Sequence, residues 1–241
     1  VSITFLVIIG TVTFYGLAAA PLAKRLGLSN ADPQGLVIAG GEPWVRELAA
    51  VLHKQGVPLI LVDTNYHNIS AARMLGLRAS CASILSDSIH EQADLSSAGR
   101  LLALTSNDEI NLLACSEYAH QFGRANVFQL PLNTKEVGNR TTVRLHLPGR
   151  VLFDGSLNAQ SIKAKLNDGY EFRATTLTQE FGWEQFLSAH GPAAQPLFVL
   201  DTKRQLQIVS GELRKPPQPK HTIISLVRRK TTPATKVPLP R

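Results

Sequence analysis

Between residues 35 and 131, short apolar runs alternate with segments of helical periodicity, and this alternation constrains the fold more than any other feature of the chain. The run over 35–41 ends in two glycines, and the run over 57–63 ends in an acid. The pattern between them, over 44–55, is helical. Strands that alternate with helices at this spacing predict an α/β fold with a doubly wound parallel sheet.

The alternation continues through the rest of this region. Right-handed crossovers between parallel strands place the carboxyl ends of the strands along one edge of the sheet. We therefore expect Gly40, Asp63, Ser83 and Thr105 to lie together at that edge. The further predicted elements are helices over 69–75 and 107–122 and strands over 78–85, 101–105 and 126–130.

The turn after the first strand has part of a dinucleotide-binding fingerprint. Gly40 and Gly41 permit a close backbone approach to a ligand. Asp63, which ends the second strand, is at the distance along the chain expected of an acid that contacts a ribose hydroxyl. Aligned to G-x-G-x-x-G, however, Ala39 replaces the first glycine and Trp44 the third.

Two further residues alter this turn. Pro43 has no N–H to offer a phosphate, and Glu42 adds negative charge at the start of the helix. Two interpretations stay open: a nucleotide site that includes Trp44, or a structural remnant whose pocket is filled by the indole.

The first 23 residues contain no ionisable side chain except Tyr15. As a helix they would extend about 34 Å, enough for a hydrocarbon core of about 30 Å. Lys24 and Arg25 follow the run, so the positive-inside rule predicts that the residues after Lys24 are cytoplasmic. We expect a last membrane helix over 1–28, with a transport domain upstream because the chain does not begin with Met. The alternative is a buried core helix of a soluble protein.

Two segments resemble known families. From residue 35 to about 131 the chain resembles the TrkA-N, or RCK, domain of potassium channels and cation antiporters, and LTSNDEINLLAC (104–115) is similar to its fourth strand and following helix. TVTFYGLAAAPLAKRLGL (11–28) resembles the final membrane helix of NhaP-type sodium/proton antiporters. The resemblance implies a Rossmann-like regulatory domain that pairs as a homodimer and binds NAD(H) or an adenine nucleotide. Ala82-Ser83 stands where the family usually has Gly-Asp.

The region after residue 131 predicts a second, smaller unit. Residues 132–149 are polar and basic and predict a hinge. Residues 150–227 contain period-two segments, among them 171–177, and predict an α+β domain. Residues 228–241 predict a basic disordered tail. The elements predicted within the second domain are helices over 160–166 and 183–189, a hairpin of 197–200 with 206–209, and a closing strand within 217–227.

The net charge of +7 is unevenly distributed. Residues 1–35 have a net charge of +1, residues 36–131 of −3 and residues 132–241 of +9. The positive charge is concentrated at the end of the chain, and two interpretations stay open: a basic tail that contacts anionic lipid, or a solvated tail with no such contact. Nucleic acid is not an expected partner, since the basic residues are not interleaved with aromatic side chains.

No residue is predicted to be catalytic, and no Cys/His spacing predicts a metal site. His53 and His120 come late in predicted helices, where a cation is favoured by the helix dipole. The acids Asp108 and Glu109 fit a helix start for the same reason. Cys81 and Cys115 are predicted to be buried thiols. The competing class, an NAD(P)-dependent oxidoreductase, lacks a Ser-Tyr-Lys arrangement in this sequence.

Together these features predict the C-terminal regulatory region of a monovalent cation (Na⁺ or K⁺)/proton antiporter at the inner (plasma) membrane. Nucleotide binding at Gly40, Gly41, Trp44, Asp63, Ser83 and Thr105, or domain pairing, would gate transport. The alternatives are an oxidoreductase and an RCK subunit of a potassium channel or efflux system.

Overall fold

The computed structural model describes residues 2–25, 35–86, 89, 98–132, 147–191, 194–211, 213 and 215–229. The chain divides into two compact units, Val1–Pro33 and Gln34–Arg241, which are described separately. Most of the predicted hinge, with Lys135, Arg140, Arg144 and His146, and the tail after Arg229 lie outside the described residues.

The first unit is formed by helix α1, Ser2–Arg25, which contains Pro21. Its large apolar side chains between Ile3 and Leu22 are 52% to 81% exposed. A buried core helix of a soluble protein would not show this exposure. Within the described residues, no helix combines the length and the hydropathy needed to cross a membrane. The membrane helix predicted over 1–28 therefore finds no support from the structure.

The second unit begins with a six-stranded sheet in which all the pairings are parallel. The strand order is β3-β2-β1-β4-β5-β6, the order of doubly wound dinucleotide-binding sheets. This confirms the predicted α/β fold with a parallel sheet. The elements are β1 Gly35–Ala39, α2 Pro43–Lys54, β2 Leu59–Asp63, α3 Tyr66–Met74, β3 Ala79–Cys81, β4 Ala98–Ala103, α4 Asp108–Phe122, β5 Val127–Gln129 and β6 Arg150–Val151.

Both faces of the first sheet are buried, as a parallel sheet requires. Helix α2 covers one face with Val45, Leu48 and Leu52, all of which are completely buried. Helix α4 covers the other face, where Cys115 and Tyr118 lie in the core. Burial of each large apolar side chain contributes about 1.5–3 kcal/mol to stability, so the two helices hold the strand ends in fixed positions.

The rest of the unit contains an antiparallel sheet of order β7-β10-β8-β9. Phe172, Phe198 and Leu226 of this sheet share one continuous core with Leu48 of α2. The hairpin predicted for 197–200 and 206–209 is observed as the antiparallel pair β8 and β9. The elements are α5 Ala159–Asn167, β7 Tyr170–Thr176, α6 Trp183–His190, β8 Gln195–Leu200, β9 Leu206–Ile208 and β10 Thr222–Arg228.

The structure differs from the sequence predictions at three places. The strand predicted over 78–85 is reduced to Ala79–Cys81. Arg150–Val151, predicted to start the second domain, instead extends the first sheet by pairing with β5. Cys81 is exposed rather than buried, because it ends an edge strand; Cys115 is buried as predicted.

Candidate ligand-binding crevice

A crevice of about 320 Å³ lies at the carboxyl ends of the first four strands. It opens where the strand order reverses between β1 and β4, the place at which open α/β sheets bind ligands. The described residues that line it are Ala39, Gly40, Glu42, Val62, Asp63, Thr64, Asn65, Asn68, Ala82, Ser83, Ile84, Thr105, Ser106, Asn107 and Ile110.

Four of the six predicted ligand-contact residues meet at this crevice. Gly40, Asp63, Ser83 and Thr105 line it, each at or within two residues of the carboxyl end of a different strand. Gly41 and Trp44, predicted as contacts from the fingerprint alignment, are not among the lining residues. The parallel topology explains why the four come together, and ligand binding at them stays a prediction.

The glycine turn, residues 40–42, connects β1 to α2. Gly40 has φ +114°, a conformation that L side chains rarely adopt, and a Cβ there would lie 3.1 Å from the carbonyl oxygen of Leu104. A side chain at Gly41 would lie 3.0 Å from Oδ2 of Asp63. Both glycines are therefore needed for close packing of the chain against itself, independently of any ligand.

The Asp63 carboxylate accepts hydrogen bonds from its own chain. Oδ2 accepts from the Gly41 N–H at 2.6 Å and from Nδ2 of Asn68 at 3.0 Å. Oδ1 accepts from the Asn65 N–H at 2.7 Å. Arg46 completes the network by donating to the carbonyl oxygen of Gly41 at 2.6 Å. Asp63 thus fixes the glycine turn against β2 while its carboxylate also lines the crevice.

Trp44 points into the core rather than into the crevice. Its side chain is 2% exposed and packs in the cluster that contains Leu48 and Phe198. The interpretation that the indole fills the nucleotide pocket is therefore wrong for this geometry. Its spacing of four residues from Leu48 and eight from Leu52 places all three side chains on the buried face of α2.

Glu42 places a carboxylate at the N-terminus of α2. Its Oε2 accepts from Nε1 of Trp44 at 2.9 Å and pairs with Nζ of Lys163 at 2.6 Å. Burial raises the pKa of this carboxyl group, but hydrogen bonds from Lys163, Ser106 and Trp44 outweigh burial and lower the pKa of Glu42 below its ordinary value. Glu42 is therefore ionised at neutral pH.

The threonine turn, residues 104–107, forms the opposite side of the crevice after β4. The buried side chain of Asn111 accepts from the Thr105 N–H at 3.1 Å and from its hydroxyl at 2.7 Å, and donates to its carbonyl oxygen at 2.9 Å. Asn107 caps α4 by accepting from the N–H groups of Glu109 and Ile110. The capping role predicted for this helix start is thus present, with Asn107 as the cap and the acids in the first turn.

Four residues of the site were not found by sequence reasoning: Arg46, Asn68, Asn111 and Lys163. Asn111 had a usable signal, since a polar residue on the buried face of an amphipathic helix requires a partner. Lys163 had none, because its contact with Glu42 joins distant parts of the sequence through the packing of α5 near α2.

The segment that forms the crevice matches a known domain family. The family described as the TrkA-N domain matches residues 36–130, the segment that contains the crevice and both of its turns. The chain contains a TrkA-N domain. A search of curated proteins finds no significant match to the whole sequence.

Solved structures similar to the chain include RCK domains and an NAD(P)-binding domain. The GsuK RCK domain is 14% identical, with a TM-score of 0.38, and the match covers 81% of this chain and 44% of that one. The GsuK channel bound to NAD is 16% identical, with a TM-score of 0.38, over 81% of this chain and 36% of that one. The NAD(P)-binding domain of an exopolyphosphatase-related protein from Archaeoglobus fulgidus is 18% identical, with a TM-score of 0.39, over 55% and 94%. The chain therefore spans less than half the length of the first two.

The crevice of the TrkA-N domain is lined by groups that form hydrogen bonds, and few of its described lining residues have an ionisable side chain that could transfer a proton. Among the described residues that line it, Glu42 and Asp63 are the ionisable ones, and each accepts hydrogen bonds from its own chain. Within the described ranges, no group of His, Cys, Asp and Glu side chains could hold a metal ion. The buried Cys115, whose pKa is raised to about 12 by burial, is not among the lining residues. The arrangement is suited to binding a polar ligand.

Proposed function

We propose that this chain is the cytoplasmic regulatory region of a monovalent cation (Na⁺ or K⁺)/proton antiporter. The observation on which the proposal depends is the TrkA-N domain over residues 36–130 with an open crevice at its switch point. The TrkA-N, or RCK, domain that the chain resembles is attached to potassium channels and cation antiporters, where we expect it to regulate transport. The antiporter context rests on the resemblance of residues 11–28 to a last antiporter helix.

The proposal places α1 in the apolar environment of a membrane transport domain at the inner (plasma) membrane. Its large apolar side chains are exposed, which is costly in water. The hydroxyl of Thr11 donates to the carbonyl oxygen of Val7 at 2.9 Å, so this polar group is satisfied inside the helix. We therefore expect extraction of the intact protein to need detergent.

Regulation would follow from a difference in affinity. A ligand in the crevice, NAD(H) or an adenine nucleotide in the simplest case, shifts the transport domain only if it binds one of two arrangements more tightly. Pairing of two TrkA-N domains as a homodimer would transmit the shift. The basic tail would contact anionic lipid near the membrane surface.

We propose binding rather than catalysis at the crevice. The support is the chemistry of its walls: no histidine, lysine, cysteine or tyrosine is among the described lining residues. An oxidoreductase that moves a hydride and a proton normally places such a group beside its substrate. Oxidation of NADH by the purified chain, dependent on any added carbonyl substrate, would overturn this part.

An RCK subunit of a potassium channel is the second candidate, and the TrkA-N domain favours it equally. The two candidates differ in proton coupling, since an antiporter exchanges a cation for a proton and a channel does not. Everted membrane vesicles from cells that produce the full protein would distinguish them.

In that experiment an imposed pH gradient is followed with a fluorescent dye while Na⁺ or K⁺ is added. The antiporter proposal predicts that a cation collapses the pH gradient without a potassium ionophore or an uncoupler. Cation flux that leaves the gradient intact supports the channel candidate. Recovery of the intact protein in the soluble fraction without detergent would contradict the antiporter proposal.

A further inference from the structure

We infer that the crevice selects a nucleoside without phosphate groups over the corresponding nucleotide or dinucleotide, and that Glu42 sets this preference. The inference rests on the proposed function and changes one part of it: at the same site, a nucleoside takes the place of NAD(H) or an adenine nucleotide as the ligand.

The place normally taken by phosphate is occupied by a carboxylate. In dinucleotide-binding sheets the pyrophosphate lies at the N-terminus of the helix after the first strand, where backbone N–H groups and the helix dipole attract an anion. Here Glu42 is the residue at that terminus, and it lines the crevice. Ser106 of the opposite turn lines the same crevice, so the carboxylate and the opposite turn face one ligand space.

The negative charge of Glu42 is retained at neutral pH. Trp44 and Lys163 both donate to its Oε2. A phosphate group at this terminus would meet a like charge and would compete with Glu42 for Lys163. Like-charge contacts at a binding site are a strong means of excluding a ligand.

Three of the backbone positions that could offer an N–H to a phosphate cannot do so. The Gly40 N–H donates to the carbonyl oxygen of Val62 at 2.8 Å, and the Gly41 N–H donates to Asp63 at 2.6 Å. Pro43 has no N–H to offer. No lysine or arginine is among the lining residues that the structure describes. At this turn a phosphate would therefore gain neither those N–H groups nor a cation from the described lining to offset its loss of water.

The other groups of the crevice suit a sugar and a planar base. An ionised carboxylate has about four lone-pair sites, and the Asp63 carboxylate accepts three N–H groups of its own chain. One site is left for a hydroxyl donor. Val62, Ile84 and Ile110 supply an apolar wall. The volume of about 320 Å³ lies at the low end of ligand sites, which span roughly 300–1,000 Å³, and fits one nucleoside better than two joined by a pyrophosphate.

The test is calorimetric titration of the full chain in mild detergent. The probes are adenosine, guanosine, cytidine and uridine, their 5′-monophosphates, and NAD. The variants are the wild type, Glu42→Gln, and Glu47→Gln as a matched control that removes an exposed charge from the same helix. Circular dichroism on each variant checks that the fold is retained.

For the wild type we expect at least one nucleoside to bind, with its monophosphate about tenfold weaker or more because of the like charge. Glu42→Gln should bring the monophosphate to within about threefold of the nucleoside while leaving nucleoside affinity within about twofold. Glu47→Gln should reproduce the wild-type ratio.

The inference is overturned if a monophosphate or NAD binds the wild type more tightly than its nucleoside, or if Glu42→Gln leaves the ratio unchanged. In both cases the regulatory proposal stands with a different ligand. Absence of binding by every probe also overturns the inference, whereas the antiporter proposal is tested separately by the vesicle assay, which needs no ligand. Lys163→Met adds an independent check: loss of this cation should weaken monophosphate binding further, not strengthen it.

Discussion

Each of the two turns that form the sides of the crevice is fixed by hydrogen bonds to side chains, but the side chains are charged at one turn and neutral at the other. The glycine turn donates the Gly41 N–H to the Asp63 carboxylate and includes Glu42, and both acids line the crevice. The threonine turn is held by the neutral side chains of Asn111 and Asn107. The comparison shows that a dinucleotide-type sheet can keep its shape while the side that normally attracts phosphate becomes anionic.

Truncation of Trp44 should give the largest effect, because the indole anchors the helix that follows the glycine turn. Removal of a buried aromatic ring typically costs about 3–5 kcal/mol. Trp44→Ala should lower the free energy of unfolding of the full chain by this amount, measured by urea unfolding followed by circular dichroism. Trp44→Phe keeps an aromatic ring in the core but removes the N–H that donates to Glu42, and its loss in free energy of unfolding should be less than half as large. Equal losses for the two variants would contradict the core position of the indole.

Asn111→Ala should weaken the threonine turn. The variant leaves the Thr105 N–H and carbonyl groups without the partners that Asn111 supplies, and we expect a loss of about 2–3 kcal/mol. Asn111→Asp would place a carboxylate oxygen against the Thr105 carbonyl oxygen at a position that is 1% exposed, so its loss of stability at neutral pH should be at least as large. Urea unfolding measures both. A loss below about 0.5 kcal/mol for Asn111→Ala would show that water replaces the side chain and that the turn is not held as described.

Gly40→Ala tests the contact between the two turns. A methyl group there would be strained by the positive φ and would lie 3.1 Å from the Leu104 carbonyl oxygen. Gly76 also has a positive φ, +76°, but a Cβ there would meet nothing within 4 Å. We expect Gly76→Ala to cost about 1 kcal/mol and Gly40→Ala about 2 kcal/mol. If the two variants lose the same stability in urea unfolding, the close approach of the turns is wrong.

Removal of the Glu42–Lys163 ion pair should give the smallest loss in free energy of unfolding, and this loss should depend on pH. Because the folded-state pKa of Glu42 is lowered, its stabilising contribution is present above the unfolded-state value of about 4.3. It is lost as pH falls through the folded-state pKa. For a partly exposed pair we expect a difference of about 0.5–1 kcal/mol between wild type and Glu42→Gln at neutral pH.

Urea midpoints measured from about pH 7 to about pH 3 check this prediction. The difference between wild type and Glu42→Gln should shrink toward low pH, while Glu47→Gln should show no such convergence. A difference that grows on acidification would mean that Glu42 is stabilised in its protonated form, and the anionic character assigned to the glycine turn would be wrong.

The strand ends of the crevice were predictable from the sequence because each strand is a short apolar run that stops at a residue of different character. Gly40, Asp63 and Thr105 follow such runs, and the parallel topology then brings them together. Arg150–Val151 was not predictable, since two residues with no periodicity give no strand signal. The core position of Trp44 was predictable from its helical spacing to Leu48 and Leu52. The alignment to G-x-G-x-x-G instead indicated a ligand contact, because it compares positions along the sequence and takes no account of which face of the helix is buried.

The charge of the site was only partly predictable. Glu42 is visible in the sequence as an acid at a helix start, where the dipole favours it. Its ion pair with Lys163 depends on how the second sheet and its helix pack against α2, which local patterns do not reveal. The role of Asp63 as a backbone acceptor was also hidden, because the same residue type at the same place binds ribose in dinucleotide sheets.

The central claim is that a ligand in the crevice controls cation transport, and everted vesicles test it most directly because their outer face is the cytoplasmic one. Adenosine is added to vesicles with the full protein while cation-driven proton movement is recorded, for wild type and for Asp63→Asn. The account predicts that the nucleoside changes the wild-type rate by about twofold or more, as a coupling of modest size would, and that Asp63→Asn reduces this response. Cation-driven proton movement that is insensitive to every nucleoside and nucleotide, in wild type and variant alike, would contradict it.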